Sequence, residues 1–150
     1  MYVTSGHSNP WEDEQEADGS SGAGVEFLLA TTRQGVWAIR TPPNLLAFDL
    51  LLRAGCYPGE PPLCPGDRIP LRAPINADEA YLMRNVLVTH VADVWPGFTL
   101  PSGPVRFLVL TGATDAEVAY AKIAGTGHLV EALRDKGYHP VMDTNRPSLF

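Results

Sequence analysis

The sequence predicts an α+β fold: a single domain with a mostly antiparallel or mixed sheet and about three helices packed against it. Three observations carry this. First, Val105 to Leu110 is a near-continuous apolar run, interrupted only by Arg106 and bounded by Pro104 and Gly112, which reads as a buried strand. Thr114 then stands three residues ahead of Glu117, the spacing of a capping box, so the strand feeds directly into a capped helix. Second, Pro42 to Gly55 is an apolar stretch with prolines suited to a helix start and a glycine suited to its end. Third, fourteen prolines and fourteen glycines are spread through 150 residues without a repeat, which predicts short elements joined by defined turns.

Taken in order, Tyr2 to Ser8 opens with β-formers and predicts a strand starting almost at Met1, as though the natural protein carries residues ahead of it. Glu12, Asp13, Glu14, Glu16 and Asp18 follow, beside Trp11 and ahead of a Gly/Ser segment; a solvated loop or a docking patch for a basic partner fits that run. Gly24 to Thr32 reads as a strand and Gly35 to Ile39 as a second one, joined as a hairpin. In the Pro42–Gly55 helix the only charges, Asp49 and Arg53, lie four apart on one face. Leu45, Leu46, Phe48, Leu51 and Leu52 take most of the rest, so the fold should nearly envelop this helix.

Tyr57 to Pro65 is a proline-rich connection, and Asp67 to Arg72 alternates like an edge strand, a position that suits Pro70. Ile75 to Ala80 reads as a turn or short helical piece, and Asn85 to Val91 as a strand with His90 as a packing residue at its end. Trp95 to Gly103 reads as a loop whose two aromatics, Trp95 and Phe98, lid the core or form an exposed patch. After the capped helix, Leu129 and Leu133 share a face of a further helix that ends at Lys136-Gly137. A short strand, His139 to Met142, closes the chain.

The composition bounds function. The net charge is −6 and the arginines come singly, which argues against nucleic-acid binding. No apolar run approaches the ~20 residues of a bilayer span and no signal peptide opens the chain, so a cytoplasmic protein with reduced Cys56 and Cys64 is expected. The glycine cluster before Val25 precedes a strand and lacks the Gly-Lys-Ser/Thr ending of a phosphate loop. No serine sits in a Gly-x-Ser-x-Gly elbow, and His7, His90, His128 and His139 have no metal spacing. We therefore expect no catalytic residues, no metal and no cofactor; the rival expectation is a small-ligand or enzymatic pocket near Trp37, Trp95 and His90. An exposed edge at Arg68 to Arg72 would also suit capture of an extended peptide.

The order of short motifs resembles the Suppressor of fused domain over essentially the whole chain. The resemblance rests on Tyr2-Val-Thr-Ser-Gly-His-Ser8, on Ser21-Gly-Ala-Gly-Val-Glu-Phe27 (where Phe27 replaces the family's leucine), on the Pro42–Gly55 helix, and on Cys64-Pro-Gly-Asp67 with Pro74-Ile75. Val88-Thr89, Leu100 to Val118, the Gly125–Gly137 helix and Thr144-Asn-Arg146 complete it. In animals this domain belongs to a larger, two-part protein that grips a peptide strand from a Hedgehog-pathway transcription factor. This chain resembles the N-terminal-type part alone, and Asn76 stands where the animal proteins place an acidic residue near their cleft. Stand-alone members resemble bacterial proteins, some of them encoded beside polymorphic toxins as immunity proteins. The resemblance thus implies a non-enzymatic binding module whose partner is a protein, such as a basic toxin domain. Its contact residues are expected among Trp11, Glu12, Asp13, Glu14, Glu16, Asn76, Trp95 and Phe98.

Overall fold

The computed structural model describes residues 1–10 and 19–150. Its elements in chain order are β1 (Tyr2–Val3), β2 (Val25–Thr31), α1 (Val36–Arg53), β3 (Arg68–Pro70), β4 (Met83–Thr89), β5 (Gly97–Leu100), β6 (Gly103–Thr114), α2 (Asp115–Ala124), α3 (Thr126–Asp135) and β7 (Val141–Met142). Seven strands form one mixed sheet in the order β1-β2-β6-β4-β3, with β5 on β6 and β7 on β2. The β2–β6 and β2–β7 pairs are parallel and the others antiparallel.

Strand alternation divides the core between two faces. Phe27, Leu29, Val86, Val88, Leu108 and Leu110 pack under α1. On the opposite face, Leu87 and Ala113 pack with Val118 and Ala121 of α2 and with Leu129 and Leu133 of α3. Both leucines of α3 are fully buried, each contributing about 1.5–3 kcal/mol by removal from water. The capping box predicted at α2 is present: Thr114 accepts from the Glu117 amide, and the Glu117 carboxylate accepts from the Thr114 amide.

Two predicted elements are corrected. Gly35 to Ile39 is not a strand; it is the start of α1, whose first bond runs from the Ala38 amide to the Gly35 carbonyl. Pro42 and Pro43 therefore lie inside the helix, where they withhold the amides that the Ala38 and Ile39 carbonyls would otherwise receive. Ala38 is fully buried and Trp37 packs against the core under α1, so tertiary packing overrides the local β preference of Val36 and Ile39. Trp95 to Gly103 is not all loop either. Leu100 pairs with Gly103, and β5 folds onto β6 through the two-residue turn Pro101-Ser102. Gly103, at φ +140°, takes a conformation that L side chains avoid; an added Cβ would stand 2.2 Å from the Gly19 carbonyl oxygen.

The larger correction concerns the orientation of α1. Asp49 is fully buried, whereas Leu50 and Leu51 are 42% and 45% exposed. The fold does not envelop this helix; its polar residue faces inward and much of its apolar surface faces out. His90, expected to pack, is exposed, with Nδ1 3.1 Å from the Phe107 carbonyl oxygen. Among the described residues no helix is long and apolar enough to cross a membrane, and both cysteines are free and exposed.

Candidate functional site: a free sheet edge between two hollows

Three buried polar clusters decide whether this fold holds a reactive centre. Glu26, fully buried, accepts from the Thr4 hydroxyl, the Gly6 amide (3.0 Å) and the Ser8 amide and hydroxyl (2.8 and 2.7 Å). Burial pushes its pKa up; the hydrogen bonds, led by Thr4 and Ser8, outweigh that and hold it below the ordinary carboxylate value. Ser21 donates to the Ser8 carbonyl oxygen (2.6 Å) and meets the Ser102 hydroxyl at 2.5 Å. Ser21, Glu26, Gly6, Ser8, Ser102 and Gly103, all prominent in the sequence motifs, thus form one knot binding the N-terminal segment to the turn before β6.

Asp49 forms a second knot. It accepts from His7 Nε2 (2.6 Å), Arg53 Nε (2.8 Å) and the Leu63 amide (2.6 Å). Burial raises its pKa, and the bonds from His7, Arg53 and Leu63 lower it further than burial raises it. A His–Asp pair is half of a nucleophile-activating system. Here the other ring nitrogen, His7 Nδ1, is buried without a polar partner, and the ring lies 5.9 Å from Phe27. The pair is sealed in the core and serves to tie the N-terminal segment, α1 and the 56–64 connection together.

The third knot is Glu117 with Arg146, both buried. Arg146 donates to both carboxylate oxygens and to the Gly112 and Pro147 carbonyls, while the Thr114 and Leu149 amides donate to Glu117. Here too burial raises the Glu117 pKa, and Arg146 chiefly brings it below the ordinary value. Among the described residues no cluster of three His, Cys, Asp or Glu side chains could hold a metal ion.

His139 gives a pH prediction. It is nearly buried, with Nδ1 3.0 Å from the Thr111 hydroxyl and Nε2 buried without a partner. Burial, aided by Arg134 and opposed by Asp93, lowers its pKa from 6.5 to about 4. Between those values the unfolded chain binds the proton that the folded one refuses. Stability is therefore full above pH 6.5 and declines toward pH 4, by roughly 3 kcal/mol for a shift of this size. His139→Gln should flatten that part of a urea-denaturation profile measured against pH.

The surface offers a different kind of site. β3 ends the sheet order and, among the described residues, pairs with β4 alone. The Leu71 amide donates to Arg84 and the Asp67 carbonyl accepts from Val88, so the odd-numbered residues face β4. The backbone groups of Arg68, Pro70 and Arg72 consequently point outward, and Pro70 lacks an N–H there. Two hollows open along this edge, both between it and α1. One, of ≈ 620 Å³, lies between the first turns of α1 and residues 71–77, where Trp37, Leu71 and Ile75 supply apolar surface and Arg40 and Arg72 the charge. The other, of ≈ 340 Å³, is lined by Phe48, Tyr57, Pro61, Ile69 and Pro70.

The predicted contact residues do not gather in one place. Asn76 lines the larger hollow beside Trp37. Trp95 packs on Leu28, Ala30, Val91 and Val109, and Phe98 is 39% exposed with its ring 5.6 Å from Phe107; both belong to the face opposite α1. Trp11, Glu12, Asp13, Glu14 and Glu16 lie outside the described residues. The rival pocket is not assembled: Trp37 lines the hollow at α1, His90 a separate one beside α3, and Trp95 the opposite face from Trp37. Sequence reasoning placed Leu71 and Arg72 on the exposed edge but missed Arg40, which α1 brings to the same rim. The alternation of Asp67 to Arg72 was the signal for the edge.

Solved structures share this architecture. The chain is similar to a protein in the Sufu–Fu complex crystal structure, at 25% identity and TM-score 0.71, covering 99% of this chain and 69% of that one. It is similar in fold to Drosophila Suppressor of Fused (23%, TM-score 0.68), covering 99% of this chain but 38% of that protein. The same holds for a suppressor of fused homolog from Neisseria gonorrhoeae FA 1090 (20%, TM-score 0.61; 83% and 63% covered). No curated protein matches the sequence at a significant level. The family described as Suppressor of fused protein (SUFU) matches residues 1–147, and with nearly every residue of the fold accounted for, the chain belongs to the suppressor of fused family.

Proposed function

We propose that the chain is a non-enzymatic protein-binding domain that takes an extended peptide along β3. The free outer side of β3, with two partly apolar hollows along it, is the observation that carries this reading. A peptide added there receives main-chain hydrogen bonds from Arg68 and Arg72, while its alternate side chains enter the hollows. Arg40 and Arg72 favour an acidic residue in the segment that docks beside Trp37. The sealing of the His7–Asp49 pair supports a binding role over a hydrolytic one.

Peptides selected by display against the immobilised full chain test this. N-methylation of a selected peptide, one residue at a time, should weaken binding at every second position, roughly tenfold or more where a hydrogen bond is lost. Equal tolerance at all positions would contradict strand addition. A narrower reading, in which the partner is a basic toxin domain, is favoured by the net charge of −6 and the run Glu12 to Asp18. It predicts that the chain co-purifies with a toxin encoded beside its gene and rescues cells expressing it.

A further inference from the structure

The wall of the smaller hollow is the 56–64 connection, whose Tyr57, Pro61 and Leu63 line it together with Phe48 of α1 and Ile69 of β3. Among the described residues, one hydrogen bond fastens residues 57–63 to another element: the Leu63 amide donates to Asp49 Oδ1 at 2.6 Å. The other oxygen of that carboxylate, Oδ2, accepts from His7 Nε2 (2.6 Å) and Arg53 Nε (2.8 Å). His7 belongs to the N-terminal segment that follows β1, at the opposite end of the sheet order from β3. One buried carboxylate thus joins a segment at one end of the sheet to the wall of a hollow at the other. We propose that Asp49 positions the peptide site: through it, docking of the N-terminal segment holds the 56–64 connection against α1 and sets the affinity of the smaller hollow for a peptide side chain. This rests on β3 being the peptide-receiving edge.

Leu63 is buried, so its amide has no water to turn to once Asp49 Oδ1 is withdrawn. The amide is then satisfied only if the connection moves outward into solvent, which widens the hollow on the side of Tyr57 and Pro61. His7 controls the acceptor. Its ring is buried, its Nδ1 has no polar partner, and the bond to Asp49 is its one polar attachment. It draws Oδ2 inward, while Arg53, 25% exposed, holds the same oxygen from the solvent side. Without His7, Arg53 alone directs the carboxylate, which rotates toward solvent and away from the Leu63 amide. Stability does not call for this arrangement, since an apolar residue at position 49 would avoid burying a charge. What the carboxylate supplies is direction, two oxygens aimed at two segments far apart in sequence. The wall of the larger hollow, residues 71–77, is held instead by backbone bonds from Leu71 to Arg84 and from Ile75 to Met83, so the effect is confined to one of the two hollows.

The test uses the full chain and a display-selected peptide whose residue in the smaller hollow is identified by its coupling to Tyr57→Ala in a double-mutant cycle. His7→Phe fills similar space but cannot donate, and His7 does not line the hollow. It should weaken the peptide about tenfold, as for a hollow competent in about a tenth of the molecules. Truncating the peptide residue in the smaller hollow to alanine should abolish that difference, and truncating the one beside Trp37 should leave it. Asp49→Asn, whose carbonyl still accepts from Leu63, should bind more tightly than Asp49→Leu. Peptide binding should in turn slow hydrogen exchange at the Ser8 amide, because coupling between two sites is reciprocal. Circular dichroism establishes that each variant is folded; if Asp49→Leu is not, the His7→Phe cycle decides. A loss shared equally between the two hollows, no loss in His7→Phe, or Ser8 exchange unmoved by the peptide overturns the proposal and leaves β3 as the edge. A selected peptide without alternating sensitivity to N-methylation overturns the reading of β3 and the proposal with it.

Discussion

Replacing Arg146 with alanine is expected to cost ~3–5 kcal/mol of folding stability, a large share of what a domain of this size possesses. The reason is the asymmetry of buried ion pairs. The intact pair gains little over an apolar substitute, but its remnant is a carboxylate stranded in the core. Arg146 satisfies both oxygens of Glu117, caps the Gly112 carbonyl and stacks 5.1 Å above the Tyr138 ring, so all three contacts fail together. Urea denaturation measures the loss. Glu117→Gln combined with Arg146→Met removes both charges and should recover a substantial part of it, since the glutamine oxygen can still accept from the Thr114 or Leu149 amide. A loss below about 1 kcal/mol in Arg146→Ala would show that the pair is not the anchor described.

Glu26→Ala is expected to have the second largest effect, ~3 kcal/mol, because it removes the acceptor shared by four donors on Thr4, Gly6 and Ser8. Its signature is local as well as global. The Ser8 amide should lose protection from hydrogen exchange and β1 should detach from β2, while amides in the β4–β6 ladder remain protected up to the global unfolding limit. Unchanged protection at Ser8 would contradict the account. Glu26, Asp49 and Glu117 also share a pH signature. Their folded pKa values lie below the ordinary 4.5, 3.8 and 4.5, so the stability they contribute is full above those values. It is lost as pH falls from those values through the lowered folded ones, so this part of acid unfolding begins at the acid end of the His139 window and continues below it.

What the sequence revealed follows from how local each determinant is. The strand leading into α2, the Thr114–Glu117 cap and the Leu129–Leu133 face are written within one or two turns of chain, and each was legible. Asp49 was not. A surface Asp–Arg pair and a buried one have the same i, i+4 spacing, and only the distant partners His7 and Leu63 reveal which it is. The same blindness hid the outward turn of Leu50 and Leu51. The Pro42-Pro43 pair misled for a different reason: proline favours a helix start by propensity, and here packing of Trp37 and Ala38 carries the helix past that signal. Of the site, the exposed edge at β3 was legible from alternation, and the family resemblance brought in Asn76. The hollows were not, because they arise where α1 crosses residues 71–77, a juxtaposition no local pattern encodes.

If β3 is the peptide-receiving edge, amide mapping of the full chain bound to a display-selected peptide will locate the peptide there. The largest resonance shifts should fall at Arg68, Ile69, Leu71 and Arg72 and at the Trp37 indole, with the Arg72 amide becoming protected from exchange. Shifts centred on α2, α3 or the β5 hairpin, with exchange along β3 unaltered, would contradict it.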